Sequence, residues 1–499
     1  MFIQDLITTE PGANTIAWVN GFTSIHLLPS SCKTIPLLAT ATESESSPFV
    51  LAGVLLSLVV IYLASTIGAE LCVRLKMPPV LGQLLGGLVV GISAFHLLVF
   101  PDSGGDSSNS LMMTFLQATG GLSLDGAAAT FQTDSEVLST LAEIGVVILL
   151  FEIGLESNLD ALLRVGFQAA IVAVVGVVTP FVGGTLGLMF LFGVPTIPAI
   201  FAGAALTATS IGITAKVLAE LEYLNRQEGQ IILGAAVLDD VLGIIILAVV
   251  ASLAKTGEVE LTNVVYLVVS AGLFLVGAIV LGRFLNPSFV WIVNELKSRG
   301  QLLLPALIFA FVLSYIATVI KLEAILGAFT AGLILAETNK CRELKQQVLP
   351  IADMLVPIFF VVVSAKTNIG VLNPAVPDNR EGLVMAAFLI VVAILGKVVT
   401  GFTVFGQPEI NRLAIGVGMI PRGEVGLVFA GIGTASGVLS GPLNAAIIMM
   451  VILTTFLAPP LLQAVFQKPT PPILDNAKTE LVSGEKKLVE QNLAEPPDR

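Results

Sequence analysis

The chain contains about a dozen apolar stretches of roughly 18 or more residues, and almost nothing is left between them to build a soluble core. A helix of about 20 apolar residues crosses the hydrocarbon layer while satisfying its own backbone hydrogen bonds. On that measure about 13 helices are expected, near 50–73, 79–100, 137–156, 166–192, 197–219, 228–253, 262–285, 301–320, 322–337, 351–366, 382–405, 411–437 and 441–466. Composition agrees: 12% of the 499 residues are charged, about half the share in soluble domains. The fold class expected is an all-α membrane protein with one integral domain, 49–466.

The segments outside that domain carry much of the formal charge of -12, so the charge describes loops and tails and marks no nucleic-acid surface. Residues 1–48 lack the basic start and unbroken apolar run of a secretory signal and are expected to form an extracytoplasmic extension. Alanines near Leu38 to Ala41 leave a processing site open. Residues 467–499, rich in Pro, Glu and Lys, are expected to be a disordered cytoplasmic tail. Cys32, Cys72 and Cys341 have neither the number nor the spacing of a disulfide framework or zinc site. No cofactor is implied.

Basic residues give the orientation, since cytoplasmic loops are enriched in Lys and Arg. With the first helix starting outside, the inner loops hold Arg74, Lys76, Arg164, Lys216, Arg226, Arg283, Lys297, Arg299, Lys340, Arg342, Lys345 and Arg412. Few basic residues remain outside. An N-terminus outside and a C-terminus in the cytoplasm follow. Helices four to six and eleven to thirteen then form inverted triplets. The middle helix of each is interrupted, at Leu206 to Gly212 and at Pro421 to Gly426. Paired broken segments in two halves are the best sequence pointer to a transporter's binding site.

Five charges lie where the bilayer interior should be: Asp239, Asp240, Lys397, Arg422 and Glu424. One ionised side chain at that depth costs about 2.5 to 3.5 kcal/mol on insertion scales. They must therefore face the protein interior. Arg422 and Glu424 read equally as structural charges. One lysine balances one of the adjacent aspartates, so the pair is suited to take up a further positive charge. Burial and a like-charged neighbour favour the neutral form of a carboxyl, which lets proton and metal ion compete for one site. Carbonyls and hydroxyls near Thr207, Thr209 and Ser210 are expected to add the oxygen ligands that hard cations prefer.

Leu206 to Lys216, Ile231 to Asp240, Leu395 to Lys397 and Pro421 to Gly426 resemble the core of NapA-type sodium/proton antiporters, in the monovalent cation:proton antiporter superfamily. Supporting matches are Met77 to Gly82 with Gly86, Leu150 to Glu156, and Leu326 to Gly332. The resemblance implies an NhaA/NapA-like fold and a homodimer in the lipid bilayer. It implies that Asp240 alternates between proton and sodium while Asp239 pairs with Lys397 in the ion-free state. It further implies a moving core (about 166–253 and 382–466), a linker helix (262–285), a dimerisation scaffold, and electrogenic exchange by an elevator motion.

Other residues carry weaker expectations. Ser364 or Ala365 stands where relatives often have glycine, and nearby Lys366 is expected to snorkel at the outer helix end. Glu152 and Glu156 would shape a cytoplasmic entrance, with Glu143 on the same helix; His26 and His96 are expected outside or at the interface. Potassium in place of sodium is the nearest alternative, followed by sodium-coupled symport. An intramembrane aspartyl protease is disfavoured because neighbouring helical residues point about 100° apart and cannot share a proton face to face.

Overall fold

Residues 38–101, 104–256, 261–296, 300–372, 377–405 and 410–466 are described in a computed structural model of the chain. The expectations for His26, Cys32 and the tail 467–499 lie outside these residues. Sixteen α-helices and a 3-10 turn (Ile369–Leu372) make up the regular structure among them. The first eight helices are α1 (Leu38–Arg74), α2 (Pro79–Val90), α3 (Leu111–Gly120), α4 (Leu124–Glu156), α5 (Leu159–Phe192), α6 (Thr196–Ala205), α7 (Ile211–Glu220) and α8 (Gln227–Thr256). The remainder are α9 (Leu261–Glu295), α10 (Leu303–Val319), α11 (Ala324–Ala336), α12 (Cys341–Ala365), α13 (Pro377–Gly401), α14 (Arg412–Gly418), α15 (Glu424–Ala435) and α16 (Gly441–Val465).

Every expected apolar stretch contains a helix, with informative differences. Eight described helices are long and apolar enough to cross a membrane, while five apolar ones have only 10–17 residues. The stretches 197–219 and 411–437 are each two half-length helices, α6 with α7 and α14 with α15. Hydropathy alone runs straight through such breaks, because a threonine or glycine at a break is barely less apolar than its neighbours. α1 opens at Leu38, a dozen residues before the apolar run, since Ala, Thr and Glu continue a helix without adding hydropathy. α3 falls where no helix was expected. It is bounded by Ser110, whose hydroxyl accepts from the Met113 N–H at 3.3 Å, and by Gly121 in the left-handed region at φ 67°.

Two packed groups emerge. In one, α4 lies against α11 and α12, α12 against α2, and α10 against α11. In the other, α5 packs on α6, α8 and α13, α13 on α14 and α16, and α15 on α6 and α16. α9 touches both α8 and α11. Small residues permit the closest approaches, because helices in lipid associate through close backbone packing. A Cβ added to Gly154 on α4 would meet the Phe329 carbonyl of α11 at 2.4 Å, and one on Gly332 of α11 would meet Gly154 Cα at 2.9 Å. The Gly154 to Glu156 and Leu326 to Gly332 motifs thus supply a helix seam.

Candidate functional site

α8 carries Asp239 and Asp240 near its middle. Adjacent helical residues point about 100° apart, so the two carboxylates look into different places. Asp239 is 0% exposed and faces Lys397 of α13, whose Nζ donates to Oδ2 at 3.1 Å and Oδ1 at 3.3 Å. The lysine, also fully buried, passes Gly176 of α5, where an added Cβ would lie 3.4 Å from Nζ. The same Nζ donates to the Thr207 carbonyl at 2.7 Å.

Thr207 lies in the break between α6 and α7, where backbone carbonyls leave the helical ladder. Arg422, in the break between α14 and α15, donates through Nη1 to the carbonyls of Thr207, at 3.0 Å, and of Ala208. Two cations therefore meet the carbonyl-rich end of α6, where a helix carries partial negative charge. The breaks are also joined directly: the Ser210 N–H donates to the Pro421 carbonyl at 2.8 Å. The hydroxyls of Thr209 and Thr214 donate to the carbonyls of Met419 and Gly418 at 3.2 and 3.0 Å. Each break satisfies polar groups that the other exposes.

Asp240, 8% exposed, lines a cleft with Thr209, Ser210 and Gly423. Ser210 is the N-cap of α7 but its hydroxyl makes no capping bond, and it lies among the cleft-lining residues. Gly423 leaves room for it, since a Cβ there would sit 2.9 Å from Ser210 Oγ. The cleft thus joins a carboxylate, two hydroxyl residues and the N-terminus of α7. These are hard oxygen donors beside a helix end that favours anions. Behind it lies the cluster of Asp239, Lys397, Arg422 and the Thr207 carbonyl. Thr207 is not among the cleft-lining residues, and its hydroxyl donates to the Ala204 carbonyl at 2.8 Å.

A sequence model of the family described as sodium/hydrogen exchanger, transmembrane, matches residues 50–468. The chain belongs to that family. It is 65% identical over 434 residues to the high-affinity Na(+)/H(+) antiporter NhaS3 of Synechocystis sp., covering 87% of this chain and 94% of that one. It is 32% identical over 410 residues to the Na(+)/H(+)-K(+) antiporter GerN of Bacillus cereus, covering 81% and 94%. The fold is similar to that of the sodium proton antiporter MjNhaP1 of Methanocaldococcus jannaschii. That match has a TM-score of 0.54 at 16% identity and covers 84% of this chain and 96% of the other. The exchanger is accordingly a multi-pass integral membrane protein of the monovalent cation:proton antiporter superfamily, and a transporter rather than an enzyme.

Of the remaining expected residues of this exchanger, Lys366, His96, Glu143, Glu152 and Glu156 are not among the described residues that line the cleft. Glu424 opens α15. Lys366 follows α12 and holds its Nζ 5.1 Å from the centre of the Phe100 ring, a cation–π contact. His96 follows α2 with a positive φ of 53°, and Glu143 is exposed on α4. Glu152 of α4 has Lys216 of α7 as a charged neighbour, together with Glu156 and Asp353. Lys216 also neighbours Glu220 on its own helix.

Sequence reasoning missed three charged groups. Lys216, counted among the inner-loop cations yet inside the expected stretch 197–219, lies in α7. Asp134 of α4 is buried and accepts from Ser57 of α1 at 3.1 Å; its setting among Gln, Thr, Ser and Glu hid it. Glu323, just before α11, lines the cleft together with Asp240. Its position between two apolar runs marks a turn in the sequence and gives no sign of the cleft.

Proposed function

We propose that this chain exchanges sodium for protons across a membrane, with Asp240 binding either ion in turn. The observation that carries the reading is the division of the acidic pair. Asp239 is tied to Lys397 in the buried interior, while Asp240 borders a cleft beside Thr209 and Ser210. A cation entering the cleft meets one carboxylate directly and a second one helical step away. Sodium binding draws on Asp239 as well and loosens its bond to Lys397, so the lysine responds to occupancy. The names of the similar antiporters from Synechocystis and Bacillus cereus support sodium as the first substrate. Arg422, and Glu424 at the start of α15, serve as structural charges of the crossing point.

The wider mechanism follows from this reading. The helices cross the bilayer about 13 times, counting each broken pair as one crossing, with α5 to α8 and α13 to α16 as inverted repeats. These repeats form the core that moves as an elevator. α9 links it to a scaffold of α1, α2, α4 and α10 to α12, through which two copies form a homodimer. The packing of α9 against both α8 and α11 supports that assignment. The N-terminus is outside and the C-terminus cytoplasmic, with Glu152 and Glu156 at the inner entrance. Two buried aspartates support electrogenic exchange, with more protons than sodium ions moved per cycle.

Reconstitution in vesicles with an internal pH dye tests the reading. Pulses of sodium, lithium and potassium across pH should evoke proton movement, with sodium effective at the lowest concentration. Asp240→Asn should abolish the response. Normal sodium-dependent proton movement in that variant would falsify the assignment.

A further inference from the structure

The cleft that Asp240 borders is also lined by Glu323 and Ile325, at the start of α11. We infer that Glu323 is a cation-capture residue: a second carboxylate, at the mouth of the cleft, that draws sodium toward Asp240. The inference rests on Asp240 being the ion-binding carboxylate and adds a residue that sets how readily the ion arrives.

Two observations converge on it. Glu323 is solvent-exposed while Asp240 is 8% exposed, so the two mark an outer and an inner end of one passage. Among the described residues that line the cleft they are the ionisable ones, and both are acidic.

The backbone at Glu323 is held in place. The turn before it is closed by the Lys321 and Leu322 N–H groups, which donate to the carbonyls of Thr318 at 3.0 Å and Ala317 at 2.9 Å. Leu322 is buried, and Gly327 brings α11 against α10, where an added Cβ would meet the Leu313 carbonyl at 2.4 Å. A fixed acidic group at the mouth of a low-dielectric cleft concentrates field lines and raises the local cation concentration. Its contribution falls on ion capture, while chemistry at Asp240 is untouched.

The test is a charge series at position 323 in reconstituted vesicles, with sodium KM and maximal rate measured at low and high choline chloride. Glu323→Gln should raise the apparent KM about three- to tenfold at low salt with little change in maximal rate. Glu323→Lys should raise it further, and Glu323→Asp should stay near wild type. The differences should shrink at ~1 M salt, where the Debye length is about 3 Å. A sodium KM that ignores charge at position 323, or a shift equally large at high salt, overturns the inference. So does a fall in maximal rate common to all three variants. If Asp240→Asn keeps exchanging, the reading of Asp240 fails instead; an inert Asp240→Asn beside an unaltered Glu323→Gln sinks this inference alone.

Discussion

Lys397 and Arg422 donate to one and the same acceptor, the Thr207 carbonyl, at 2.7 and 3.0 Å. Two buried cations thus converge on a backbone oxygen that the break between α6 and α7 releases from its helix. Arg422 also reaches Ala208 through the same nitrogen, and its guanidinium, more weakly hydrated than an ammonium, is the cation more readily buried there. Arg422→Lys is expected to lower the melting temperature in detergent and to reduce flux. Arg422→Met should do so more severely, since each bond from a charged donor contributes about 1.5 to 3 kcal/mol.

In the Asp239–Lys397 pair, a second substitution is expected to repair the damage of the first. Lys397→Met leaves Asp239 charged in the interior without its lysine and should cost about 3 to 5 kcal/mol. Adding Asp239→Asn removes the uncompensated charge and should restore most of that stability. Thermal unfolding of the three variants forms the cycle; additive losses would mean that the pair is not coupled as its geometry indicates.

Gly176 tests the lysine's path independently of its charge. A methyl there would lie 3.3 Å from Thr400 Cγ2 and 3.4 Å from Lys397 Nζ, close but within reach of small adjustment. Gly176→Ala should therefore retain much of the exchange, and Gly176→Leu should displace the ammonium and abolish it. Equal activity in both would show that the lysine has another way to Asp239.

The Gly154–Gly332 seam should govern folding, with sodium affinity unaffected. Gly154→Leu forces a side chain into the Phe329 carbonyl and is expected to reduce the yield of folded protein in size-exclusion chromatography. Glu143→Gln, on the exposed face of the same helix, should stay within about 0.5 kcal/mol of wild type.

Particular residues show what the sequence made legible. Asp239, Asp240 and Lys397 stood out because a charge inside an apolar run has few affordable positions, and that scarcity carries spatial information. Their partners were harder to read. The Thr207 carbonyl has no side-chain signature, and its role depends on a bend whose residues differ little from their neighbours in hydropathy. Glu323 sits at a helix end, where charged residues are ordinary, and Lys216 lies within the short α7; only the approach of another helix reveals either. α3 could have been found from Ser110 and the Gly120-Gly121 stop, which mark a helix too short for a search based on membrane thickness.

The Ser210–Pro421 bond has a consequence for biosynthesis. Its donor and acceptor lie about two-fifths of the chain apart, and the bonds from Thr209 and Thr214 span 210 and 204 residues. At about 5 to 20 residues per second, the ribosome delivers the second break roughly 10 to 40 s after the first. For that interval the Leu206 to Ser210 segment must be housed in the membrane without the carbonyls and guanidinium that later satisfy it. The nascent chain therefore needs water or the insertion machinery to shelter an unfinished helix until its counterpart is made.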